Sequence, residues 1–309
     1  MRPSGELFYD VTSALSQGQR DHQEDAVVAD FPVGAGLGFV VLADGMGGHA
    51  AGDVASKIAV TEVFSELKMR SGDPEWLENH VPGILRDAVF SANECVRYHA
   101  EENPETEGMG TTLLAPVLLA DSLYWISVGD SPLYLFRDEE LIRLNEDHSM
   151  VPQIEYMVKT GVLDSEAGEN HPDRNCLTSV LIGDDIAQID CPARPVRLLK
   201  DDVLIVASDG LQFLTDEEIA SFLQGNAGKT SAELSAGLMG ELQALDDPDQ
   251  DNISLCVVRV TDDPQLGAAT APVEPPALRE KRPEGVAFIA KSTKSRKVLT
   301  YRVSMEKSA

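Results

Sequence analysis

Acidic residues stand where apolar runs stop. GLGFVVLADG (36–45) ends in Asp44-Gly45, SLYWISVGD (122–130) ends in Gly129-Asp130, and DVLIVASDG (202–210) ends in Asp209-Gly210. Asp251 immediately precedes NISLCVVRV (252–260), and Glu24-Asp25 immediately precedes AVVADF. An acid at the edge of an apolar run faces into or beside a core. A buried carboxylate without a partner is costly, and few basic residues lie near these positions. A shared cation satisfies all of the acids at once. Oxygen-only donors suit hard metals, magnesium or manganese, in octahedral sites completed by water. Any single Asp-Gly reads equally well as a turn after a strand. Acids at five positions placed in this way point to a metal centre.

Two further features belong to the same chemistry. Arg20 precedes Glu24 by four residues and is a candidate for gripping phosphate through its planar fork of donors. The loop from Asp44 to Gly52 is rich in glycine and runs into a helical stretch. It lacks the Lys-Ser/Thr of a P-loop and the G-x-G-x-x-G of a dinucleotide site. A simpler role is close backbone approach to a metal, with Gly45 offering its carbonyl. His49 in this loop either donates a proton or caps the loop.

The elements that must hold these groups read as strands and helices in blocks. The apolar runs above are rich in Val, Ile, Leu and aromatic residues and are bounded by Gly, Asp or Asn, as strands are. SLYWISVGD and PLYLFRDEELIRL read as a hairpin turning at 129–132, with a second turn at Asp138-Glu139. Helical spacing covers 51–68, 74–102, 216–225 and 231–245. Pro82-Gly83 breaks the second of these in two, and Ser231 serves as N-cap of the last. Strands in hairpins imply antiparallel sheets, and helices at separate points imply outer layers. The expected fold is α+β, a central antiparallel β-sandwich flanked by helices on both faces, four layers in αββα order.

Bulk properties narrow the function. A 43% hydrophobic fraction supports a sizeable core. The formal net charge of −27 repels nucleic acid and anionic membrane surfaces, so neither is an expected partner. An acidic protein can still hold an anionic substrate if it brings its own cations. Cys95, Cys176, Cys191 and Cys256 form no C-x-x-C pair and fit neither a zinc site nor a disulfide framework. They read as small buried hydrophobes in a reducing cytoplasm. No run is long enough for a membrane span, and MRPSGELFYD lacks the apolar stretch of a signal peptide.

The motifs R-D-H-Q-E-D (20–25), A-D-G-M-G-G-H (43–49), G-M-G-T-T-L (108–113), V-G-D-S (128–131), E-D-H-S (146–149), H-P-D-R-N-C-L-T (171–178), A-S-D-G-L (207–211) and D-N-I-S (251–254), in this order, resemble the metal-dependent Ser/Thr protein phosphatases of type 2C in their bacterial form. The resemblance covers roughly residues 7–260. It implies hydrolysis of phosphoserine and phosphothreonine on proteins, with Mn2+ or Mg2+ as two core ions and a third-ion site in bacterial members. By position, Asp44 is similar to the ligand bridging the core ions, Gly45 to a carbonyl donor and Glu24 to its supporting acid. Asp209 and Asp251 would hold the other ion, and Asp130 with Asp209 the third. Asp25 would hydrogen-bond metal-bound waters, and Arg20 would bind phosphate. Residues 149–185 would form a flap that helps choose substrates. Two metals would share a water, lower its pKa and aim it at phosphorus in line with the leaving oxygen. Met46 replaces the general-acid histidine of eukaryotic relatives, which leaves protonation to His49, to a metal-bound water or to no dedicated group. Expected partners are phosphorylated proteins, Ser/Thr kinases and their substrates, with the enzyme a monomer. No Cys sits in the C-x5-R loop of a cysteine phosphatase.

Beyond the phosphatase domain, expected at 7–261, residues 262–309 read as a Pro/Ala linker and a basic tail. From Ala277 onward nine basic residues face three acidic ones, which leaves 16 basic and 49 acidic residues in the rest. GVAFIA (285–290) and KVLTYRVS (297–304) look strand-like.

Overall fold

Alternation of strand side chains between two cores decides the layering of this chain. The computed structural model describes residues 7–32, 36–47, 51–72 and 74–263. The chain opens with β1 (Phe8–Ser16), β2 (Asp25–Asp30) and β3 (Leu37–Met46), followed by α1 (Ala51–Arg70), α2 (Pro74–Glu78) and α3 (Val81–Glu102). Next come β4 (Gly110–Thr111), β5 (Leu113–Leu119), β6 (Ser122–Val128), β7 (Leu133–Arg137) and β8 (Glu140–Arg143). After α4 (Val151–Lys159) and α5 (Ser165–Glu169), the chain forms β9 (Val196–Arg197) and β10 (Val203–Ala207). It closes with α6 (Asp216–Gly225), α7 (Ser231–Ala244) and β11 (Ile253–Thr261).

The strands form two antiparallel sheets, ordered β1-β11-β10-β7-β8 and β2-β3-β5-β6-β9, with β4 paired to the end of β3. Alternate residues of each strand enter different cores. In β3, Val40 and Leu42 pack between the sheets, while Phe39, Val41 and Ala43 pack under α1 and α3. In β11, Cys256 and Val258 join the inter-sheet core, while Leu255 and Val257 meet Leu234 and Leu238 of α7. The result is the expected α+β sandwich with helices on both outer faces. These strands are apolar on both faces because neither face meets water.

Three local expectations are corrected. The segment 129–132 does not close a hairpin: β6 lies in one sheet and β7 in the other, so these residues carry the chain across the sandwich. Gly129 takes φ +110 at the crossing. Pro82 does not break the 74–102 helix; the break falls at Asn79-His80, and Pro82 occupies the first turn of α3, where its missing N–H costs nothing. The N-cap of α7 is Thr230, which forms a reciprocal capping box with Glu233. Ser231 instead donates from its backbone N and from Oγ to the buried Asp10 carboxylate, at 2.7 Å each. The turn at Asp138-Glu139 forms as expected, with φ of 51 and 67 joining β7 to β8. Cys191 and Cys256 are buried, but Cys176 is exposed. The tail expectations at 285–290 and 297–304 lie outside the described residues, as does His49. No described helix is long and apolar enough to cross a membrane.

Candidate metal centre

One end of the sandwich gathers the acids, and the strand registers explain how. Asp25 of β2 is the direct cross-strand partner of Asp44 in β3, a position that sets Cβ atoms about 4.5–5.5 Å apart. Asp44 is in phase with Val40 and Leu42, so its side chain continues the inter-sheet face to its open end. From the other sheet, Asp209 follows β10 and Asp251 precedes β11. Those strands pair through Ala207 and Leu255, and Ser208 N donates to Ser254 O at 2.9 Å. Asp130 sits on the crossing segment between the sheets. A cleft of about 890 Å³ opens here, lined by Arg20, Glu24, Asp44, Asp130, Asp209 and Asp251 among others, and by Gly45. Asp25 lies beneath it, 3% exposed.

Mutual repulsion and burial mark the cluster. Burial above all, reinforced by Asp25, Asp209 and Asp130, pushes the Asp44 carboxyl well above its ordinary range. Burial raises Asp25 to about 6 and Asp130 to about 7, with Asp209 adding to both. Asp209 is raised by burial and by Asp251, and a hydrogen bond with Asp44 eases it. Asp25 Oδ1 and Asp209 Oδ1 are buried with no hydrogen-bond partner. Orphaned carboxylate oxygens in a cleft lined mainly by acids fit a hard divalent cation. Among the described residues no three acidic, His or Cys side chains close on a single point as one ion's cage. The acids ring a shared cleft instead, a donor set suited to ions that keep several waters.

Neutral residues unremarked in the sequence hold these acids in place. Asp44 is clasped through its backbone: Thr112 N and Thr111 Oγ1 donate to its carbonyl at 2.8 and 2.9 Å, and its N–H donates to Thr112 Oγ1 at 3.0 Å. Ser208 Oγ donates to Asp25 Oδ2 at 2.7 Å. Asn252 Oδ1 accepts from Glu24 N at 2.7 Å, and its Nδ2 donates to the carbonyls of Gln17 and His22. This amide fastens the Arg20–Glu24 loop to Asp251. Buried His148 accepts from Gly129 N at 3.2 Å through Nδ1, and Arg143 donates to the Asp130 carbonyl. All except Arg143 lie inside the motifs quoted above, but their residue types alone signal only turns and caps.

Gly45 admits no side chain. A Cβ there would stand 2.1 Å from Gly52 O and 2.6 Å from Glu24 O. Three backbone segments thus meet at the cleft floor. Residues 175–182, from the stretch expected to form a flap, supply the opposite wall through Asn175, Cys176, Leu177, Val180 and Ile182. Arg20 Nη2 does not hang free in the cleft; it lies 2.6 Å from Asp251 Oδ2.

Known proteins are similar to this chain. The family model for protein phosphatase 2C matches residues 12–243. The serine/threonine phosphatase stp of Listeria welshimeri is 34% identical over 178 residues, 58% of this chain and 68% of that protein. The serine/threonine protein phosphatase PstP of Mycobacterium tuberculosis is 32% identical over 250 residues, 79% of this chain and 43% of that protein. A crystal structure of a PstP catalytic domain in complex with two manganese ions superposes with a TM-score of 0.64 at 30% identity, covering 82% of this chain and 99% of that one. With a match across most of its length and a buried acidic cleft at the end of an αββα sandwich, the chain belongs to the protein phosphatase 2C family.

Proposed function

We propose that this enzyme hydrolyses phosphoserine and phosphothreonine on proteins in a single in-line step that depends on Mn2+ or Mg2+. The observation that carries the reading is the ring of mutually repelling carboxylates, half-buried around one cleft and drawn from both sheets. In this reading Asp44 would help to hold the two core ions. Gly45 O and Glu24 support one, Asp209 and Asp251 hold the other, and Asp130 with Asp209 serves a third. When bound, the ions supply a nucleophile drawn from water and neutralise charge on the phosphoryl oxygens.

The chain's own groups do the rest. Asp25, beneath the cleft, orients water through its unpartnered Oδ1. Arg20 turns its fork onto two phosphoryl oxygens and holds phosphorus in line. The new bond joins a water oxygen to phosphorus as the serine or threonine oxygen departs. His49 is proposed to return a proton to that oxygen, since the Met46 thioether has none to give. No serine or cysteine acts as nucleophile. Residues 7–261 form the catalytic unit, working as a cytoplasmic monomer on targets of Ser/Thr kinases, and 262–309 form a linker and basic tail. The test is phosphate release from phosphoserine, phosphothreonine and phosphotyrosine peptides with manganese or magnesium. Undiminished turnover in excess chelator overturns the reading.

A further inference from the structure

The register at the cleft rim places two apolar side chains beside the acids. Met46 pairs with Gly110 across β3 and β4. Thr111 pairs with Leu181 through two backbone hydrogen bonds, at 3.0 and 2.9 Å. This antiparallel pairing sets Gly110 opposite Ile182. Met46, Gly110 and Ile182 therefore form one row across three strands with side chains on the same face. Gly110 contributes no side chain, so its neighbours lean in over it. A Cβ at Gly110 would stand 2.6 Å from Ile182 Cγ2 and 3.2 Å from Met46 Cε.

This row adjoins the acids directly. Asp44 and Met46 are two apart in β3, hence on one face and about 6.6–6.8 Å apart along the strand. Both line the cleft together with Ile182. Ile182 is 42% exposed, although the backbone clip at Leu181 fixes its position. The cleft's volume is in the range that encloses a drug-sized ligand, more than one phosphorylated residue fills. The residues next to the phosphoresidue must enter too.

We infer that Met46 and Ile182 form an apolar shelf that receives the side chain two residues from the phosphorylated one, so that the enzyme prefers phosphopeptides with an aliphatic residue at that position. The inference rests on the phosphatase reading above. An extended peptide presents the side chain two residues from the phosphorylated one on the same face as it, at the strand spacing that separates Asp44 from Met46. The acids around the shelf disfavour an acidic neighbour by like-charge repulsion, and only apolar contact is on offer at the row itself.

The experiment compares two synthetic phosphothreonine peptides, one with leucine and one with serine at the positions two residues before and two residues after the phosphothreonine. In the presence of manganese, kcat/KM is expected to favour the leucine peptide by roughly tenfold, the scale of discrimination in an apolar pocket. Ile182→Ser should collapse that ratio to near one, and Ile182→Val should preserve most of it. Each ratio is taken within one enzyme preparation, so partial loss of folded protein cancels. Equal kcat/KM for both peptides in the unaltered enzyme, or an unchanged ratio in Ile182→Ser, overturns the shelf alone. Failure to hydrolyse either peptide with manganese removes the phosphatase reading and the shelf with it.

Discussion

Arg20 and Asp251 form an ion pair with Nη2 and Oδ2 2.6 Å apart, which joins the proposed phosphate-binding residue to a proposed metal ligand. The same carboxylate oxygen cannot serve the guanidinium and a cation equally well, so the two compete. Arg20→Gln is expected to weaken phosphopeptide hydrolysis and yet tighten manganese binding. The tightening should be roughly two- to fivefold, the worth of a partly exposed ion pair. Calorimetric manganese titration of both proteins checks it, and weaker metal binding in the variant would contradict the competition.

The acids that equip the cleft strain the fold. Asp44 is buried among like charges, so Asp44→Asn should abolish phosphatase activity and raise the melting temperature of the protein in chelator. Relief of each kcal/mol of repulsion corresponds to about 2–4 °C for a domain of this size. Thermal melts with chelator beside activity assays with manganese read both effects. A variant that is inactive and less stable would mean that Asp44 is a structural residue.

The raised carboxyls set the pH dependence. Asp25 at about 6 and Asp130 at about 7 lie above the unfolded value near 3.9. In the folded state they bind protons more tightly, so their contribution to stability is full below that value. It is lost as pH rises through 6 and 7. In chelator the melting temperature should therefore fall between pH 6 and pH 8.5. Manganese should raise it more at pH 8.5 than at pH 6, because cations replace the lost protons. His148, held down by burial, acts in the opposite sense but only as pH drops below its unfolded value near 6.5. A melting temperature flat across this window would contradict the assignment.

Gly45→Ala is expected to cost more than 3 kcal/mol, beyond the range of ordinary substitutions, because its Cβ would collide with two backbone carbonyls. Gly72→Ala, with nothing within 4 Å of the added atom, should be near neutral. Urea denaturation of the two variants checks the contrast.

The placement of the acids was legible in the sequence because Asp beside Gly punctuates an apolar run whatever the fold. Their convergence was not, since it depends on registers such as Asp25 opposite Asp44 that no local pattern encodes. The crossing at 129–132 shows the limit: a Gly-Asp-Ser-Pro turn looks the same whether the next strand joins the same sheet or the facing one. Ser231 looked like a cap because it begins a helical period, but Thr230 with Glu233 completes the reciprocal bonds. The clasps made by Thr112, Ser208 and Asn252 were hidden for a further reason. A short polar side chain discloses its role only when a partner distant in sequence is known.

Because Asp25, Asp44 and Asp209, Asp251 come from opposite sheets, cations lodged among them would act as a buckle across the sandwich's open end. Withdrawing the ions would then disarm the chemistry and unfasten the rim in a single act. Backbone amides at the ends of β3, β10 and β11 would exchange with solvent sooner, while the middle of the sandwich stayed shut.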